Sequence, residues 1–108
     1  MANTFTRYAA KNVGTSASTL VTVAAATQTT IIGLTVSNTT AAAITCDIYF
    51  TASAVDYYLI KGAVIQAGKT FVMVGGDQKT VLITGDALKV VTNTASSADV
   101  VCSVLNIT

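Results

Sequence analysis

Apolar and polar residues alternate with period two along much of the chain. Ile32, Leu34 and Val36 alternate with Gly33, Thr35 and Ser37, and Ile44, Cys46, Ile48 and Phe50 alternate with Thr45, Asp47, Tyr49 and Thr51. Successive side chains of a strand point to opposite faces, so each run presents one core face and one Thr-rich face. The pattern predicts strands over Thr19 to Val23, Thr29 to Ser37, Ile44 to Thr51, Tyr57 to Ile60, Thr70 to Val74, Thr80 to Ile83, Ala87 to Thr92 and Asp99 to Ile107. Their Thr, Val and Ile side chains suit a pleated sheet and lose rotamer freedom in a helix. Between them, Asn38 to Thr40, Gln66 to Lys69, Gly75 to Gln78, Thr84 to Asp86 and Asn93 to Ser97 supply the Gly, Asn, Asp and Ser of turns. This spacing predicts an all-β fold, a single antiparallel β-sandwich or jelly-roll-like domain of about eight strands. The Ala-rich pieces at 24–26, 41–43 and 52–55 are too short to offset helix nucleation and read as loops or strand ends.

Two strands break the alternation. Val100, Val101, Cys102, Val104, Leu105 and Ile107 leave few polar positions on either face, and Phe71 to Val74 show the same two-sided pattern. Such strands expect burial on both sides, yet a two-layer sandwich covers only one. The second face is therefore expected to meet another subunit, through Phe71, Met73, Val101, Leu105 and Ile107. The alternative is cover from loops or the N-terminal segment of the same chain. That segment, residues 1–18, precedes the sandwich domain at 19–108 and reads either as an arm or as an edge strand. As an arm it would reach a neighbouring subunit or an underlying shell through Phe5, Arg7, Tyr8 and Lys11, ordering as it binds.

Composition strengthens the expectation of assembly. At 108 residues the chain is one domain, and a domain of this size buries only about two-thirds of the surface its unfolded chain exposes. The mean hydropathy is nonetheless +0.64, with 10% of residues charged. The six cations and five Asp residues lie singly along the chain, without the basic cluster that nucleic acid or an anionic membrane surface requires. The N-terminus lacks a secretory pattern, and no apolar run approaches the length of a membrane helix. In that setting Cys46 and Cys102 are expected as buried thiols rather than a disulfide.

The usual groups for catalysis are missing. Without His or Glu, a Ser or Thr nucleophile has only Asp or Lys for a base, and no catalytic, cofactor-binding or metal residues are expected. Gly62 to Thr70 ends like a phosphate-binding loop, but five residues separate Gly62 from Gly68 where the motif has four, and a strand follows. Gly68-Lys69 reads as a hairpin turn. Asp77 and Asp86 read as turn residues, and of Tyr57 and Tyr58 one is expected to fill the core while the other faces out. Asn38-Thr39-Thr40 and Asn106-Ile107-Thr108 match a glycosylation acceptor but read as turn and terminal residues.

Tyr58-Leu59-Ile60-Lys61-Gly62-Ala63, Ala67-Gly68, Val74-Gly75-Gly76-Asp77-Gln78-Lys79, Thr84-Gly85-Asp86, Val90 and the ending Ala95-Ser96-Ser97-Ala98-Asp99-Val100 to Ile107-Thr108 resemble small virion structural proteins of tailed bacteriophages, including marine cyanophages. The resemblance runs from about Asn12 to the C-terminus. It implies a β-sandwich module that decorates capsids or builds tail and fibre parts. The function it implies is a non-enzymatic capsid decoration or cement-type subunit, a homo-oligomer with a trimer favoured, binding other virion proteins such as the major capsid protein. The expected location is the virion, assembled in the host cytoplasm. The alternative is a tail or fibre module that binds a host receptor or glycan.

Overall fold

A computed structural model describes residues 2–74 and 80–108, the side chains of Met73 and Val74 excepted. The turn read over Gly75 to Gln78, with Asp77, lies outside the described residues. Among the described residues nine strands form: β1 (Asn3–Val13), β2 (Ser18–Thr22), β3 (Gln28–Asn38), β4 (Ile44–Ala52), β5 (Val55–Ile65), β6 (Thr70–Val74), β7 (Thr80–Ile83), β8 (Ala87–Thr92) and β9 (Ala98–Ile107). They build two antiparallel sheets. Sheet A has the order β1-β9-β3-β6, with β7 also pairing β3, and sheet B the order β2-β8-β4-β5. Counting β6 and β7 as one interrupted strand along β3, this is the two-sheet, Greek-key order of a jelly roll.

The core lies between the sheets. Sheet A contributes Val13, Ile31, Leu34, Val36, Leu82, Val100, Cys102 and Val104, and sheet B contributes Val21, Ile44, Cys46, Ile48, Ile65, Leu88 and Val90, all buried. Each such aliphatic side chain contributes on the order of 1.5–3 kcal/mol relative to exposure. On β4 and β9 the inward residues fall at every second position, as the alternation predicts. On β3 they do not. The register against β9 shifts between Ile31 and Gly33, so Ile31 and Leu34 both turn inward and Ile32, assigned to the core by strict alternation, is only half-buried. A bulge adds a residue to one strand and resets its phase.

The segment read as an arm or an edge strand forms β1, paired with β9 from Asn3 to Val13. Its last turn is pinned by Asp99, which accepts from the Asn12 N–H and the Lys11 ammonium. Strand β5 is longer than the predicted Tyr57 to Ile60 because Lys61-Gly62 continues the strand. Gly62 sits at φ +70° and its N–H donates to Asp47 Oδ1 at 2.7 Å, the geometry of a bulge that only glycine adopts without strain. Gln66 to Lys69 is a turn, closed by the Lys69 N–H on the Gln66 carbonyl with Gly68 at φ +69°, but it is not a hairpin. It carries the chain from sheet B to sheet A, where β6 pairs β3.

The open end of the sandwich is tied by buried polar groups. Asn38 donates from Nδ2 to the carbonyls of Ala42 and Ile65 and accepts at Oδ1 from Thr40. Ser97 shares a 2.7 Å hydrogen bond with Thr92, while its N–H donates to the Val13 carbonyl. Gly14 packs against this loop so closely that a Cβ would stand 2.9 Å from the Ser96 nitrogen.

Candidate assembly interface

Every second residue of β9 points into the core, so Asp99, Val101, Ser103, Leu105 and Ile107 point out. The registers extend these positions across sheet A. Phe5, Leu105, Thr30 and Val81 form one row, Asn3, Ile107, Gln28 and Ile83 a second, and Ala9, Val101, Thr35 and Val72 a third. Phe5 is 75% exposed, and Val72, Val81, Ile83 and Val101 are exposed as well. Among the described residues, nothing in the chain covers this face. Among the described residues its charges are Arg7, between the first and third rows, and the Lys11–Asp99 pair at 3.1 Å on the rim. The Asn12 N–H and the Lys11 ammonium hold the Asp99 carboxyl below its ordinary pKa. Beside Ile83 and Ile107 the face runs into an open groove of about 520 Å³, lined also by Ala26, Thr27, Gln28, Thr84 and Thr108, with no charged side chain.

Of the residues expected at a subunit interface, Val101, Leu105 and Ile107 lie on this outer face. Phe71 does not: it pairs with Val36 and packs against the core, and Val72 is the outward residue of β6. The Met73 side chain lies outside the described residues. The four residues of the expected arm divide similarly. Phe5 and Arg7 lie on the outer face, Lys11 is held at the rim by Asp99, and Tyr8 packs against the core. Composition alone misses Val72, Val81 and Ile83. The sequence signal is the uninterrupted apolar run Val81-Leu82-Ile83, two-sided like β9, of which Leu82 is buried and its two neighbours are exposed.

The groups with chemical potential are structural in this arrangement. Cys46 and Cys102 are free and buried, and burial pushes both thiols up to about 11, so at neutral pH neither supplies a thiolate. Asp86 is buried in the β7–β8 turn and accepts from the Ile83 N–H at 3.0 Å. Neither tyrosine of the pair fills the core: Tyr57 stacks on Phe50 at 5.2 Å, and Tyr58 lies 4.9 Å from Tyr49 with the Lys61 ammonium 4.5 Å from its ring centre. The Asn38 amide is buried and fully engaged, so the first acceptor pattern is a loop staple. Among the described residues no three His, Cys, Asp or Glu side chains gather into a metal-binding group.

No protein-family model matches the chain, and no curated protein matches it. Solved structures do. A chain of the Bacillus endospore appendages, a family of disulfide-linked pili, superposes with a TM-score of 0.58 at 8% identity, over 98% of this chain and 88% of that one. A chain of the T13 particle of infectious bursal disease virus (IBDV) superposes with a TM-score of 0.55 at 11% identity, and one of the IBDV Gx strain with 0.52 at 16%. These matches cover 96% and 97% of this chain but only 35% and 29% of the viral ones, so the chain spans about a third of their length. At such identities the likeness is one of fold, an all-β sandwich shared with subunits of a pilus and of virus particles.

Proposed function

We propose that this protein is a non-enzymatic structural subunit that assembles through the outer face of sheet A. In the finer reading it is a capsid decoration or cement-type protein of a tailed-phage virion, seated on the shell as a homo-oligomer, with a trimer the order favoured by the resemblance. The observation that carries the proposal is the uncovered row pattern of Phe5, Leu105, Val81, Val101 and Val72. Exposed apolar side chains set in adjoining rows of one sheet face mark interaction surfaces rather than ordinary solvent-facing sheet. The solved structures sharing the fold come from a pilus and from virus particles, which favours a structural role. The sequence resemblance favours a phage particle.

The tail-module alternative needs aromatic faces open for a sugar. Here Tyr57 and Tyr58 are half exposed, but each already stacks on a neighbour, Tyr57 on Phe50 and Tyr58 against Tyr49 and Lys61, which disfavours that reading. The test is location. Gold-labelled antibody against the protein is expected on the heads of purified particles; label confined to tails would favour the alternative, and absence from purified particles would overturn both.

A further inference from the structure

Sheet A ends in a strand edge with unusual properties. Ala2 and Thr108 exchange both backbone hydrogen bonds, at 3.1 and 2.9 Å. Antiparallel ladders alternate, so Thr4, Thr6, Tyr8 and Ala10 likewise direct their N–H and C=O groups at β9. Asn3, Phe5, Arg7 and Ala9 must then direct theirs away from the sheet, into the open. The register is unbroken from Asn3 to Ala10, after which the irregularity before Val13 ends the flat stretch.

The other edges are guarded. Strand β2 has five residues and a register shift, β5 carries two shifts in its pairing with β4 together with Asp56 and Lys61, and the fourth edge is divided between β6 and β7. Bulges, charges and shortness are the ordinary means of blocking strand addition, and β1 has none of them between Asn3 and Ala9 except Arg7.

We propose that the open edge of β1 is a self-complementary pairing site, at which a second copy adds its own β1 antiparallel about a two-fold axis and extends sheet A across the pair. A single register uses every outward group. It sets Asn3 opposite the second copy's Ala9 and Phe5 opposite the second copy's Arg7, each pair exchanging both its hydrogen bonds. Shifting the copies one way brings the two Arg7 guanidinium groups face to face, which like charge disfavours; shifting them the other way sets Arg7 opposite Asn3 and Phe5 opposite Phe5, so no cation lies against a ring. The favoured register instead lays each Arg7 against a Phe5 ring, an attractive cation–aromatic contact, and covers the most exposed large apolar side chain among the described residues. The contact is isologous, as a two-fold requires. It uses the backbone groups of the strand edge and meets the apolar face only at Phe5 and Arg7, so where the rest of that face builds trimers the edge joins them in pairs.

Thr6 lies on the axis, opposite itself in a non-hydrogen-bonded pair with a Cα separation of about 4.5 Å, within disulfide range. Thr4 stands about 14 Å from its counterpart along the strands. In the purified full-length protein, Thr6→Cys is expected to form a covalent dimer under mild oxidation at least tenfold faster than Thr4→Cys, the native thiols being buried. Arg7→Pro removes an outward N–H and the guanidinium set against Phe5 but no hydrogen bond to β9, so it is expected to halve the sedimenting mass while leaving the circular dichroism unchanged. Thr6→Cys linking no faster than Thr4→Cys, or a folded Arg7→Pro with undiminished mass, overturns the pairing. If Arg7→Pro fails to fold, the cross-linking comparison alone decides. Neither measurement depends on where the particle carries the protein, so this site and the proposed function fail separately.

Discussion

At the scale of single residues, the buried polar groups bind loops that apolar contacts alone would leave loose. Asn38 closes the loop before β4 and reaches across to the end of β5 through the Ile65 carbonyl. Asn38→Ala removes the buried amide that donates to the Ala42 and Ile65 carbonyls and accepts from Thr40, at a cost of about 1–3 kcal/mol. Urea unfolding is expected to show that loss. Asn93→Ala, which removes an exposed acceptor from the Thr45 N–H, is expected to cost less. The two thiols set a pH dependence of definite sign. Their pKa rises on folding, first because burial disfavours the thiolate, so the unfolded chain releases its protons earlier as pH rises. Their contribution is complete below about pH 9 and is lost as pH climbs toward 11. Tyr49, also raised mainly by burial, acts in the same direction. The melting temperature is expected to fall over that interval, and less steeply in a Cys46→Ala/Cys102→Ala variant. Equal slopes in the two proteins would contradict the assignment.

At the scale of elements, the β class and most strand bounds were legible because β-branched residues dominate the strands, apolar and polar positions alternate through Ile44 to Ile48, and turn residues separate the runs. Bulges were not legible. Ile31 and Ile32 are chemically alike, and only the register against β9 decides which one enters the core. Gly62 follows Lys61 as it would in a turn, and only the Asp47 carboxylate accepting its N–H shows that the strand continues. For β1, an apolar residue at every second place would have signalled a strand, but Phe5 and Tyr8 are out of phase because they lie on opposite faces. The two-sided character of β9 was the useful signal for the site. It fixed Val101, Leu105 and Ile107 on the outer face, whereas Phe71 and Val72, adjacent and both apolar, gave no means of choosing the outward one.

At the scale of the whole molecule, a sandwich with one uncovered apolar face is a half-finished structure in water. The core between the sheets does not depend on the outer residues, since Val72 and Val101 touch solvent in the isolated chain. Charges placed there therefore cost little in folding, within about 0.5 kcal/mol for exposed sites, while a partner's apolar surface would have to desolvate them. The Val72→Lys/Val101→Lys variant is expected to melt within a few degrees of the parent protein, to lose face-mediated assembly in sedimentation, and to fall off purified particles. It leaves the β1 backbone untouched, so a Thr6→Cys version of the same variant is expected to cross-link as before. Assembly and particle binding that survive both lysines in a folded protein would move the interface off sheet A.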